Sequence, residues 1–91
     1  MGSGLIGRNP SSSDPGVMCT AINDTSISKT HLEYGFDGLG LWIKDRGSTN
    51  GSTLVRQGQT TPLQPRAEKQ VQVGDVVTIG SRRFVIEGVS R

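Results

Sequence analysis

The residues able to do chemistry in this 91-residue chain are few, and they sit on segments rich in turn formers. Arg8 follows Gly7 at the end of a short apolar run. Ser28, Lys29 and His31 lie close together further on. Ser48, Thr49, Asn50 and Gly51 occupy a later loop. An arginine presents a planar fork of donors to an anion, and hydroxyls and a lysine ammonium can take the oxygens that remain. Loops at one end of a β-sandwich would bring such groups side by side, where they would suit a phosphate. The plainer reading is that these are ordinary solvated loops, and residue types alone favour it, because polar loops are common.

Catalytic readings find less support. His31 is the single imidazole and no spacing singles out a partner for it, whereas a nucleophile needs a base and the base an orienter. Cys19 falls in an apolar run of strand length, where a thiol is expected to be buried and inert. The acids Asp14, Asp24, Glu33, Asp37, Asp45, Glu68, Asp75 and Glu87 are scattered, most at turn positions. One His and one Cys cannot build a Cys/His zinc site, and a lone Cys cannot form an internal disulfide. No Gly-rich loop opens a helix, as a nucleotide site would require. The expectation is a domain that is not an enzyme, with no metal and no cofactor.

The elements that must position these loops follow from composition and punctuation. Hydrophobic residues are 32% of the chain, which is enough for one thin core and argues against a large internal cavity. Thirteen glycines and four prolines favour short strands and tight turns. Met1–Gly4 reads as a linker or a remnant outside the fold, and the domain as residues 5–89. Leu5–Arg8 is a short apolar entry and Asn9–Gly16 a dense loop. Val17–Ile22 is a strand, followed by a connecting loop, Asn23–Thr30, polar except for Ile27. His31–Phe36 and Leu39–Asp45 flank Asp37-Gly38, a hairpin signal in which both turn residues take positive φ. Along the second arm Leu41, Ile43 and Asp45 point one way, Trp42 and Lys44 the other. Asp45–Ser52 and Gln57–Arg66 read as loops, Thr53–Val55 as a short strand and Glu68–Val73 as a weak one. Val73-Gly74-Asp75 marks a turn, and Val76–Gly80 with Arg82–Val89 a final hairpin. No window carries a helical apolar period, so the fold class is all-β, a sandwich or barrel.

In their order along the chain, Gly7-Arg8, Ser28-x-x-His31, Asp45-x-Gly47-Ser48-Thr49-Asn50-Gly51 and Val73-Gly74-Asp75-x-Val77-x-Ile79-Gly80 resemble the forkhead-associated (FHA) domain. Four motifs in order and at the family's spacing cover Leu5 to about Val89, and they reverse the balance struck by residue types alone. The resemblance implies two twisted, mainly antiparallel sheets, about eleven strands in all, with binding loops at one end. It implies a partner protein or peptide that carries phosphothreonine. Arg8 would then be the main phosphate ligand, Ser28 would give its hydroxyl to a phosphate oxygen, and Lys29 would face the phosphate. Thr49 would reach the phosphate or line the threonine-methyl pocket, and Asn50 would hold the peptide backbone. Gly7, His31 and Gly51 would support the site. Two departures stand out: only a few residues precede Gly7-Arg8 where the family has a full strand, and Ser52 stands where Thr is usual. Ser26 lies near a position that in some relatives reads the third residue after the phosphothreonine, and its short hydroxyl reads little there.

Other functions remain to be weighed. A phosphate-independent assembly domain would use a sheet face, and an exposed Trp42 would mark it. A small barrel binding single-stranded nucleic acid would want a basic groove and exposed aromatics. The net charge of +2 and the four aromatics, Tyr34, Phe36, Trp42 and Phe84, count against that. No apolar run reaches the ~20 residues of a membrane span. The expected setting is a reducing cytoplasm, and the expected state of the isolated domain is a monomer within a larger regulatory protein.

Overall fold

Short β-rich runs separated by glycine turns become strands here. The computed structural model describes residues 3–87. Their strands are β1 (Ser3–Gly7), β2 (Val17–Ala21), β3 (Leu32–Asp37), β4 (Gly40–Asp45), β5 (Ser52–Arg56), β6 (Gln59–Pro62), β7 (Glu68–Gln70), β8 (Val76–Ile79) and β9 (Arg82–Val85). One sheet has the order β2-β1-β3-β4-β7 and the other β6-β5-β8-β9. Only β1 and β2 pair in parallel; the other strand pairs are antiparallel. The described residues thus hold nine strands where the resemblance implies about eleven.

The core lies between the sheets and is built from Ile27, Leu32, Ile43, Leu54, Val71, Val77 and Ile79. Ile27, the one apolar residue of its polar loop, is 1% exposed and plugs this core. That burial fixes Ser28 and Lys29, which follow it, at the end of the sandwich. On β4, Ile43 and Asp45 face inward as the alternation predicts. Trp42 is half-buried on the opposite face, packed over Gly35, with the Lys44 ammonium 5.5 Å from its ring centre. Tyr34 and Phe84 pack against the core, and Phe36 lines an apolar gap of about 220 Å³ between the sheets. This gap is open to solvent and is not an enclosed cavity of the kind the sequence argues against; Phe84 of the edge strand β9 and Ile86 after it form part of its lining.

Several boundaries differ from the sequence reading. Ser3 and Gly4 belong to β1 and not to a leading linker, because they pair with both β2 and β3. Met1, Gly2 and the predicted end of the last strand at Val89 lie outside the described residues. The β3–β4 turn is Gly38-Leu39, one residue later than expected, and Asp37 closes the ladder opposite Gly40. The Asp37 carboxylate accepts the Leu39 N–H at 2.8 Å, and positive φ moves to Gly40, at 118°. Residues 57–66 are not all loop. Gln57 and Gly58 both take positive φ, 52° and 81°, and turn the chain into β6. β6 is wholly exposed, so no apolar alternation announces it. Cys19 is exposed, not buried, because β2 is an edge strand and most of it faces solvent.

The end of β1 carries the chain into the site. Arg8 N donates to Ser28 O at 2.9 Å and Asn9 N to Lys29 O at 3.0 Å, zipping the two segments together. A Cβ on Gly7 would sit 2.1 Å from the Lys29 carbonyl oxygen. Backbone cannot yield there cheaply, so Gly7→Ala is expected to cost about 1–3 kcal/mol. Each kcal/mol lowers Tm by about 4–8 °C in a domain of this size. A thermal melt checks this, and an unchanged Tm would show that the approach is loose.

Candidate functional site

Turn-forming residues after β4 need a fixed anion to fold around, and Asp45 supplies it. One carboxylate oxygen accepts the Gly47 and Ser48 N–H groups, each at 2.8 Å; the other accepts the Ser48 and Ser52 hydroxyls, each at 2.6 Å. Ser48 Oγ in turn accepts the Gly51 N–H at 3.0 Å. Asp45 is 2% exposed, and burial by itself would raise its pKa. The Ser48 and Ser52 hydroxyls and the two backbone N–H groups outweigh that and hold the carboxyl below the usual aspartate range. Gly47 and Gly51, at φ 76° and 79°, let the loop close.

His31 ties this loop to the one before β3. Its ring is fully buried. Nδ1 accepts the Ser28 N–H at 3.1 Å, which leaves the proton on Nε2 to donate to the Gly51 carbonyl at 2.8 Å. His31 N also donates to Ile6 O, and its own carbonyl accepts from Arg46 N, both at 2.9 Å. The side chain and backbone of one residue thus join β1, the Ser28 segment and the Thr49–Gly51 segment. His31 does not line the cleft described next.

Above this support lies a cleft of about 230 Å³ lined by Arg8, Thr25, Ser26, Ile27, Ser28, Lys29, Thr49 and Asn50. All five residues read from the sequence as ligand-binding therefore share one wall of surface. Arg8, Lys29, Thr49 and Asn50 are exposed, and Ser28 is partly so. The Thr49 N–H donates to Ser28 Oγ at 2.9 Å, which leaves the Ser28 O–H free to donate outward. Asn50 Nδ2 donates to the Ser26 carbonyl at 2.7 Å. The lining holds two cations, three hydroxyl side chains beside Ser28, and no carboxylate. Such a surface can bind an anion with charge-assisted donors and grip an adjoining amide.

Sequence reasoning did not find the groups that fix Ser26. Asp24 and Ser81 bond its side chain and Arg82 bonds Asp24, so that segments 55 or more residues apart meet there. No local spacing signals that meeting. Ser26 itself is turned into these bonds and does not stand free at the cleft.

The FHA domain description matches residues 4–80. The chain belongs to the FHA domain family. It is 32% identical over 85 residues to the FHA domain-containing protein FhaA of Mycobacterium tuberculosis, covering 93% of this chain and 14% of FhaA. The matched region is thus a small part of that relative. The FHA domain of FhaA has been solved in complex with the intracellular domain of Rv3910. It shares 32% identity at a TM-score of 0.69, over 92% of this chain and 78% of that one. An FHA domain solved in a study of phosphothreonine-dependent FHA interactions gives 32% identity and 0.70, over 96% and 77%. The MEK1 FHA domain, solved with a phosphothreonine peptide of HOP1, gives 25% and 0.65, over 91% and 76%.

The support beneath an FHA cleft of this kind has an acid limit. Asp45 is held below its ordinary pKa in the folded state, as is Asp75, chiefly by the Arg56 guanidinium. A depressed folded pKa means the unfolded chain binds more protons on acidification, so stability rises with pH. The contribution is complete above about pH 4, the ordinary aspartate value, and is lost as pH falls through the lowered values. Urea unfolding between pH 7 and pH 2 is expected to show this loss. Asp45→Asn should be less stable at pH 7 and lose less on acidification. Equal acid losses in the two proteins would remove Asp45 from the account.

Proposed function

We propose that this FHA domain is a phosphothreonine-dependent interaction module that takes a phosphorylated segment of a partner protein into the cleft between Arg8 and Asn50. The observation that carries the reading is the convergence of Arg8, Ser28, Lys29, Thr49 and Asn50 on a lining without a carboxylate. Arg8 supplies the bidentate contact to the phosphate, the Ser28 O–H a second donor and Lys29 a point charge. Thr49 faces the threonine methyl, and Asn50 grips the backbone beyond the phosphorylated residue. The MEK1 FHA domain solved with a phosphothreonine peptide of HOP1, and the FHA domain solved in a study of phosphothreonine-dependent interactions, support this reading of the partner.

The domain acts by binding and not by catalysis. The one imidazole, His31, has both ring nitrogens engaged and is buried, so it cannot serve a substrate as general base. Cys19 is free and exposed, which suits a reducing cytoplasm. Among the described residues no helix is long and apolar enough to cross a membrane.

Calorimetry with one peptide in phosphothreonine, phosphoserine and unphosphorylated forms tests this. Hydrogen bonds to charged groups are worth ~1.5–3 kcal/mol, so Arg8→Ala should weaken binding by about tenfold or more. Arg8→Lys should restore little. Phosphothreonine should be preferred through its methyl, and affinity should fall below about pH 6 as the phosphate gains its second proton. Equal binding of phosphoserine would remove the methyl contact. Equal binding of the unphosphorylated peptide would overturn the function.

A further inference from the structure

Asp24 stands where the loop before β3 meets the β8–β9 turn, two segments from opposite sheets. Its Oδ1 accepts the Ser26 N–H at 2.9 Å and the Ser26 hydroxyl at 2.7 Å. Its Oδ2 accepts the Ser81 hydroxyl at 2.6 Å and Arg82 Nε at 2.9 Å. The Ser81 N–H donates back to Ser26 Oγ at 2.9 Å. Gly80 makes the approach possible: at φ 55°, a Cβ there would sit 2.5 Å from Ser26 Oγ and 2.6 Å from its carbonyl oxygen. Every polar atom of Ser26 is therefore engaged, and its carbonyl is the group that accepts Asn50 Nδ2 at 2.7 Å.

The asparagine amide has two N–H donors and one carbonyl acceptor. One donor is spent on Ser26. The second N–H and the oxygen are left in a defined plane, which is the arrangement an extended backbone needs for a two-point grip. We infer that Asp24, Ser81 and Arg82 are positioning residues that set the Ser26 carbonyl and, through it, orient Asn50 for a ligand's main chain. This rests on the phosphothreonine reading and extends it: the turn between β8 and β9, remote in sequence from the ligand-binding motifs, governs how firmly residues beside the phosphate are held. The serine hydroxyls, the Ser26 N–H and Arg82 hold the Asp24 carboxyl well below the usual carboxylate range, so the brace stays charged wherever the phosphate is a dianion.

Two measurements test the brace. Arg82→Gln and Ser81→Ala alter exposed positions, and melts of both confirm folding. In the free domain, the side-chain amide signals of Asn50 in a ¹⁵N-labelled sample are expected to shift in each variant; unchanged signals would overturn the coupling. With a phosphothreonine peptide, Arg82→Gln should weaken binding about fivefold in wild type and have no further effect in the Asn50→Ala background. Additive losses would overturn the assignment, since a general structural role would act with or without Asn50. If wild type binds the phosphorylated and unphosphorylated peptides alike, it is the phosphothreonine reading that fails, and the Asn50 signals alone decide the brace.

Discussion

The site depends on a buried imidazole and a buried carboxylate that face each other at 3.9 Å, His31 and Asp45. Burying either would be costly if its polar atoms were left unpaired. None is: Asp45 accepts four donors from its own loop, and His31 spends both nitrogens on the flanking loops. Satisfying this pair draws three chain segments together: the Ser28 segment, the Asp45–Ser52 loop and the start of β3. Asp45 ends β4 in one sheet and its acceptor oxygens reach Ser52, which begins β5 in the other. The same bonds that satisfy the pair therefore also join the sheets at the end where the cleft lies.

A division of labour follows. The groups offered to a ligand, Arg8, Lys29, Thr49 and Asn50, are exposed, while their placement comes from residues a ligand does not reach. Ile27 anchors the Ser28 segment in the core, Gly7 allows β1 to lie against Lys29, and the Thr49 N–H holds the Ser28 hydroxyl. Loops held this way lose little further freedom on binding, and preorganisation converts contact energy into affinity.

What the sequence revealed and what it hid divide by range. The Asp45–Ser52 loop was legible because its bonds close within seven residues and use types with known turn chemistry. The core face of β4 was legible from alternation. The β3–β4 turn is ambiguous by one residue in the sequence because Asp37 can either occupy a turn or cap one, and only the ladder opposite Gly40 decides. β6 was invisible because Gln57 is an unusual residue for its positive φ and because an edge strand exposed on both faces has no pattern. Cys19 is exposed although its run is apolar, because an apolar run says that a strand forms, not what covers it. The Asp24–Ser81–Arg82 cluster had no local signal, since its members are brought together by sheet topology alone.

That topology also resolves an electrostatic conflict. A phosphate site gains from cations and loses from carboxylates within a few ångströms, since screening is weak where water is partly excluded. Yet the loops around this cleft need acids to fold, Asp45 on one side and Asp24 on the other. Each acid is turned away from the cleft and saturated from within. Asp45 meets hydroxyls and N–H groups, and Asp24 meets two hydroxyls, an N–H and the Arg82 guanidinium. Donors that satisfy these carboxylates also spread their charge over the loops. The residues facing the cleft are then left to set its field, and among them the charged ones are Arg8 and Lys29. Acids that organise the loops and cations that face the ligand can share a domain of this size because the first are consumed by internal bonds and the second are not.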